Sequence, residues 1–279
     1  MLVAHVFDLI PIWVLFIGTV LVMALFIEYG FRLGKRAQAT AKKAQTSQVR
    51  AIMGAGLGLL AFMLVFTFST AQQHFETRVQ SLAEEARIAR NAFMQADLLR
   101  EPARTQVKYL LKDYLEIRSN MRRFSGLDVS EQLAAALRDS EQIQHELWLL
   151  AAKSGGQDPT GQAGGEQGDP LMASVLALID IHYTRVHSAV MNRIPLMIWI
   201  TLYLMAILSM IIMGFQAGLT DRRSPVATIT LAVAFSAVIV LITDLDRPVM
   251  SFFDINNQLL VDLYEYMRQS LLVDYIPSS

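Results

Sequence analysis

Four stretches of the chain contain no Lys, Arg, Asp or Glu: Leu9–Ile27, Ala51–Gln73, Ile194–Thr220 and Ser224–Thr243. They form two pairs, separated by a long polar middle. A hydrocarbon layer of about 30 Å is crossed by roughly 20 apolar residues at about 1.5 Å each. Each stretch meets that length, and a helix satisfies its own backbone groups where no water is present. The pattern therefore predicts four transmembrane helices in two hairpins: residues 1–73, then 194–243.

Between the pairs the period changes. Phe75, Val79, Leu82, Ala86, Ala89, Phe93 and Ala96 are spaced 4-3-4-3-4-3, a heptad seam that continues the second apolar helix. Pro102 ends it and suits the first turn of the next helix. Val107, Leu110, Tyr114, Ile117 and Met121 mark a second rod, which stops near Gly126. Leu133, Ala136, Ser140, Ile143, Leu147 and Leu150 mark a third. A Gly-rich stretch, 154–170, reads as a flexible loop. A fourth rod carries Leu171, Val175, Leu178, His182 and Val186 and runs toward Pro195, where a kink is expected. A chain that leaves and re-enters a membrane as helix needs an even number of rods, so residues 74–193 are expected to form an extramembrane antiparallel helical bundle. Residues 244–279 are left as a C-terminal interfacial segment. Its Leu259, Leu260, Leu263, Tyr264 and Met267 predict an amphipathic helix on the membrane surface or against the bundle. The fold class is an all-α membrane protein.

Composition changes this picture little. The chain is 53% hydrophobic and 18% charged, with a net charge of -1, so no basic character points to nucleic acid. It has no Cys, which excludes disulfides and thiolate chemistry. Residues 1–8 hold no Lys or Arg, unlike the positive start of a secretory signal, so the first helix is expected to stay in the membrane. Charge matters for orientation. The first short loop carries Arg32, Lys35, Arg36, Lys42, Lys43 and Arg50, and the second carries Arg222 and Arg223 beside Asp221. By the positive-inside rule both loops, 28–50 and 221–223, are cytoplasmic, and residues 74–193 and the C-terminus lie outside the inner (plasma) membrane.

Candidate chemistry is sparse. Gly54 and Gly58 form a small-xxx-small pair in the second span, and Phe62 and Phe66 follow on the same side. Such a face packs helices, within one subunit or between subunits. It also suits a pore, where a ring of Phe makes a hydrophobic constriction. Asp244, Asp246 and Arg247 stand at the end of the fourth span, before Pro248. They read as an ion-paired helix end or as a charged ring at a pore mouth. Glu28 and Arg32 are an ordinary i, i+4 pair. His74, His145, His182 and His187 are scattered, without the convergence a metal needs. No phosphate loop, nucleophile elbow or HExxH occurs. No catalytic residue, cofactor or metal site is expected, and the chain is not read as an enzyme.

Three pieces resemble a bacterial membrane-protein family described as bestrophin-like. They are Gly58-Leu-Leu-Ala-Phe-Met-Leu-Val-Phe-Thr-Phe-Ser69 with Arg78 on the polar helix that follows; Ala96-Asp-Leu-Leu-Arg-Glu-Pro-Ala-Arg104 before a helix with Leu111 and Tyr114; and Asp244-Leu-Asp-Arg-Pro248. The resemblance implies kinship with bestrophins, oligomeric anion channels whose second membrane helix carries apolar constricting residues. Phe62 and Phe66 are then the constriction candidates. In bestrophins the region between helices 2 and 3 is cytoplasmic, whereas the basic loops here place it outside. Val249-Met-Ser-Phe-Phe253 is also bulkier than the Gly-containing stretch the family would have.

Two functions follow from these readings. One is a homo-oligomeric ion channel with the second helix lining the pore. The other is a non-conducting scaffold or sensor whose outer bundle binds a protein partner or ligand. In both, the lipid bilayer is the constant partner.

Overall fold

The computed structural model describes residues 10–38, 43–121, 129–154, 170–191, 193–220, 225–247 and 258–274. Among these there is no strand. The elements are α1 (Ile12–Ala37), α2 (Lys43–Gln95), a 3-10 turn (Ala96–Leu98), α3 (Ala103–Asn120), α4 (Val129–Ser154), α5 (Pro170–Met191), α6 (Leu196–Thr220), α7 (Pro225–Asp246) and α8 (Gln258–Asp274). The turn expected at Gly126 and the Gly-rich loop 154–170 lie almost wholly outside the described residues.

Apart from the first two residues, the chain divides into two compact units. One is Val3–Glu76 with Asn192–Asp254; the other is Thr77–Met191 with Ile255–Ser279. Helix α2 is continuous through that boundary.

The first unit holds α1, the start of α2, α6 and α7. All four helices are long and apolar enough to cross a membrane. Their outward faces are apolar too: Ile17, Leu21 and Leu25 on α1, Ile200, Leu204 and Leu208 on α6, and Val226, Ile229 and Val233 on α7 are exposed. Apolar surface on this scale is not stable in water and fits lipid. Three buried hydroxyls are satisfied within their own helices: Thr19 donates to the Leu15 carbonyl (2.8 Å), Thr67 to Met63 (2.7 Å) and Thr243 to Ile239 (2.8 Å).

The most extensive packing joins helices distant in sequence. Helix α1 lies along α6, and next along α7. Four glycines set the α1–α6 approach. A Cβ on Gly30 would stand 2.1 Å from the Ile211 carbonyl oxygen, and one on Gly214 would stand 2.0 Å from that of Ile27. One turn on, a Cβ on Gly34 would meet the Phe215 oxygen at 2.2 Å, and one on Gly218 the Phe31 oxygen at 2.3 Å. Numbering rises together on both helices, so they run parallel. Missing side chains let two backbones touch, which is the means of helix association where no hydrophobic drive exists.

The second unit is helical in its described residues except for 99–102. Its core gathers Leu82, Ala86, Ala89, Phe93 and Ala96 from the heptad seam, Val107, Leu111, Tyr114 and Leu115 from α3, Leu147 and Ala151 from α4, and Leu171, Val175 and Leu178 from α5. Val79, placed on the seam by spacing, is exposed. Two expectations are corrected. Four rods were expected, and α8 adds a fifth: it packs on α3 and buries Leu260, Met267 and Leu271 in this core. Of the two placements expected for the C-terminal helix, the membrane surface or the bundle, α8 takes the bundle, because its apolar stripe meets a complementary helix. The fourth rod also does not run into the third span. Helix α5 ends at Met191 and α6 begins at Leu196, since Pro195 lacks an N–H and disfavours helix for Ile194.

Candidate functional site

Three places carry the polar or unusual side chains. The first is the outward face of α2 in the first unit. One stripe, Leu60, Leu64, Thr67 and Ala71, is buried, and the Ser209 hydroxyl of α6 donates to the Gly56 carbonyl (3.3 Å). The opposite stripe is open. A Cβ on Gly54 or Gly58 would meet nothing within 4 Å, and Phe62 and Phe66 are 66% and 54% exposed. Among the described residues, the close glycine contact is the α1–α6 one instead. Ala51, Ala55 and Ala61 share the exposure, as do Ile52, Leu59 and Val65.

The second place is the end of α7. Asp244, Asp246 and Arg247 are all buried. Asp246 Oδ1 accepts the Ile194 N–H at 3.0 Å, just ahead of α6, and stands 3.8 Å from His74 Nδ1 on α2. Arg247 Nη2 donates to the Ile10 carbonyl (2.8 Å), just ahead of α1. One acidic and one basic side chain at the end of α7 thus fasten the corresponding ends of the other three spanning helices. The carboxylate also sits where the first turn of α6 leaves amides unpaired. Within the chain these residues are inward ties rather than a displayed ring. Glu28 and Arg32 form the expected pair, 3.0 Å apart.

The third place, in the second unit, was not anticipated. Glu85 of α2 is fully buried. Its carboxylate accepts from the Tyr114 hydroxyl, from Arg118 Nε at 2.8 Å and from Arg118 Nη2 at 3.3 Å, and it pairs with Arg185 of α5. Gln144 of α4 and His182 of α5 are buried beside them. Burial raises the Tyr114 hydroxyl above its ordinary range and lowers Arg118; it takes Arg185 down to about 10. Burial, with Arg118 nearby, holds His182 down to about 4, so its ring is neutral. The signal in the sequence was faint. Tyr114 and His182 fall on apolar stripes, and Arg118 and Arg185 follow them by four and three residues.

The comparisons with known proteins bear on the whole chain. The model of the Bestrophin-like domain matches residues 12–258. No curated protein and no solved structure matches.

Proposed function

The chain belongs to the Bestrophin-like domain family and is a membrane protein, and we propose that it assembles as a homo-oligomeric ion channel, passing anions, with α2 lining the pore. The observation that carries this reading is the open face of α2. Among the described residues nothing lies within 4 Å of a Cβ at Gly54 or Gly58, and Phe62 and Phe66 stand exposed beyond them. Lipid does not require small residues, whereas a neighbouring subunit does. Exposed Phe rings from several subunits would form an apolar constriction of the kind that gates by dewetting.

The proposal includes a topology of two hairpins with an extramembrane bundle. Parallel α1 and α6 end on the same side. Helix α1 carries Lys35 and Arg36 in its last turn, and Arg222 and Arg223 follow α6 in sequence. Two basic ends on one side favour a cytoplasmic placement for both, leaving residues 74–193 outside a bacterial inner membrane.

The first test is subunit number in nanodiscs by native mass spectrometry. A defined ring supports the channel, and flux should then change in Phe62→Ala and Phe66→Ala. A monomer would sink it and favour a scaffold or sensor whose bundle binds a partner.

A further inference from the structure

We propose that the interior of the bundle holds a seat for a small, singly charged anion, beside the Glu85 carboxylate and formed by Arg118, Arg185, Gln144 and His182. The proposal stands whether or not the spanning helices conduct.

Charge is the first argument. Arg118 and Arg185 both pair with Glu85. Two guanidiniums against one carboxylate leave a single positive charge, and His182 is neutral. An uncompensated charge among buried groups is destabilising, so a counter-charge is expected. The countercharge nearest His182 is Glu141, 4.0 Å from its Nε2, but that side chain is 55% exposed and screened by water.

Hydrogen bonding is the second, independent argument. The four lone-pair sites of Glu85 are taken by Tyr114, Arg118 and Arg185. Donors remain. Arg118 Nη1 is directed at the Met121 sulfur, 3.2 Å away, and a thioether is a weak acceptor. Gln144 Nε2, set near the Tyr114 hydroxyl, makes no hydrogen bond of good geometry, and neither does the single N–H of the neutral His182 ring, although both residues are almost wholly buried. Buried polar groups in folded proteins are nearly always paired. What is missing here is an acceptor for the amide and for the one imidazole N–H, together with negative charge.

Size and access narrow the ligand. Glu85, Arg118, Gln144 and His182 are each at least nine-tenths buried, which excludes a peptide or headgroup. Arg185 keeps 22% of its side chain exposed and so marks the way in. One excess charge matches a monovalent anion such as chloride; a divalent one would invert the imbalance.

The experiment uses the full-length protein in detergent. Thermal unfolding is followed while chloride replaces gluconate at constant ionic strength. The expected result is a saturable rise in Tm of about 3 °C or more. It should persist in Phe62→Ala and disappear in Arg185→Gln. If Arg185→Gln does not fold, Gln144→Leu serves instead, with the chloride midpoint weakened about tenfold. No saturable rise in the wild type would overturn the proposal and leave water as the partner. A rise unchanged in the bundle variants, or lost in Phe62→Ala alone, would overturn it equally, because the ion would then be bound elsewhere.

Discussion

Gly30 of α1 and Gly214 of α6 occupy the same position in one reciprocal contact. Gly30 faces the carbonyl of Ile211, three residues before Gly214, and Gly214 faces the carbonyl of Ile27, three residues before Gly30. Gly34 and Gly218 repeat the arrangement one turn later, facing Phe215 and Phe31. Both helices carry the same string, Ile-x-x-Gly-Phe-x-x-Gly, at 27–34 and 211–218.

Gly30→Ala or Gly214→Ala should therefore destabilise the first unit by about 1–3 kcal/mol or more, because the new methyl group meets backbone that cannot swing aside. Gly18→Ala, with nothing within 4 Å of the added carbon, should stay within about 0.5 kcal/mol of wild type. Reversible unfolding in bicelles measures both. Equal tolerance at the three positions would show that the α1–α6 approach is looser than described.

The α2 face should behave in the opposite way. Gly54→Leu and Gly58→Leu should leave the fold of a single chain intact, since among the described residues nothing lies within 4 Å of a Cβ at either position. They should break the oligomer, seen as a loss of the ring in native mass spectrometry with unchanged helical content. A variant that unfolds instead would place the contact inside the chain.

Removing Glu85 should be among the most damaging single changes in the bundle. Glu85→Gln leaves Arg118 and Arg185 buried against a neutral amide, and breaking such a pair typically costs about 3–5 kcal/mol. Chemical denaturation of the full chain reads this directly. A loss under about 1 kcal/mol would mean that the guanidiniums find other partners or water.

Stability should fall on acidification through a window set by His182. The folded protein holds this ring neutral down to about 4, while an unperturbed His takes up its proton near 6.5. The unfolded chain then binds more protons between those values, so stability contributed by the neutral ring is present above about 6.5, declines as pH falls toward about 4, and changes no further below. The total is at most about 3 kcal/mol. His182→Leu should flatten that part of the profile; an unaltered slope would assign it to carboxylates instead.

At the end of α7, Asp246→Ala should weaken the first unit by about 1–2 kcal/mol, whereas Asp246→Asn keeps an oxygen for the Ile194 N–H and loses less. Limited proteolysis near residues 193–195 distinguishes them: faster cleavage is expected in the alanine variant only.

What could be read in the sequence follows physical range. The spanning helices and the heptad seam depend on composition and local period, and α1, α2, α6, α7 and the burial of Leu82, Ala86, Ala89 and Phe93 agree with both. The Gly54–Gly58 pair is legible because it stands in the middle of an apolar run. The pairs at 30–34 and 214–218 lie beside charged or polar residues, and only a comparison of the chain with itself would have exposed the shared string. The Glu85 network was out of reach for a different cause. Its members lie on four helices, and periodicity tells which face turns inward but not which faces meet. A Glu one residue from a seam position, such as Glu85 beside Ala86, reads as solvated until the neighbouring Arg118 and Arg185 are known.

The α1–α6 crossing has one more consequence. A contact in which each partner presents the same residues to the other is what a homodimer makes across its two-fold axis. Here both partners belong to one polypeptide, so the first and third spanning helices act as a symmetric pair permanently tethered, and a lesion at Gly34 should be matched in severity by one at Gly218.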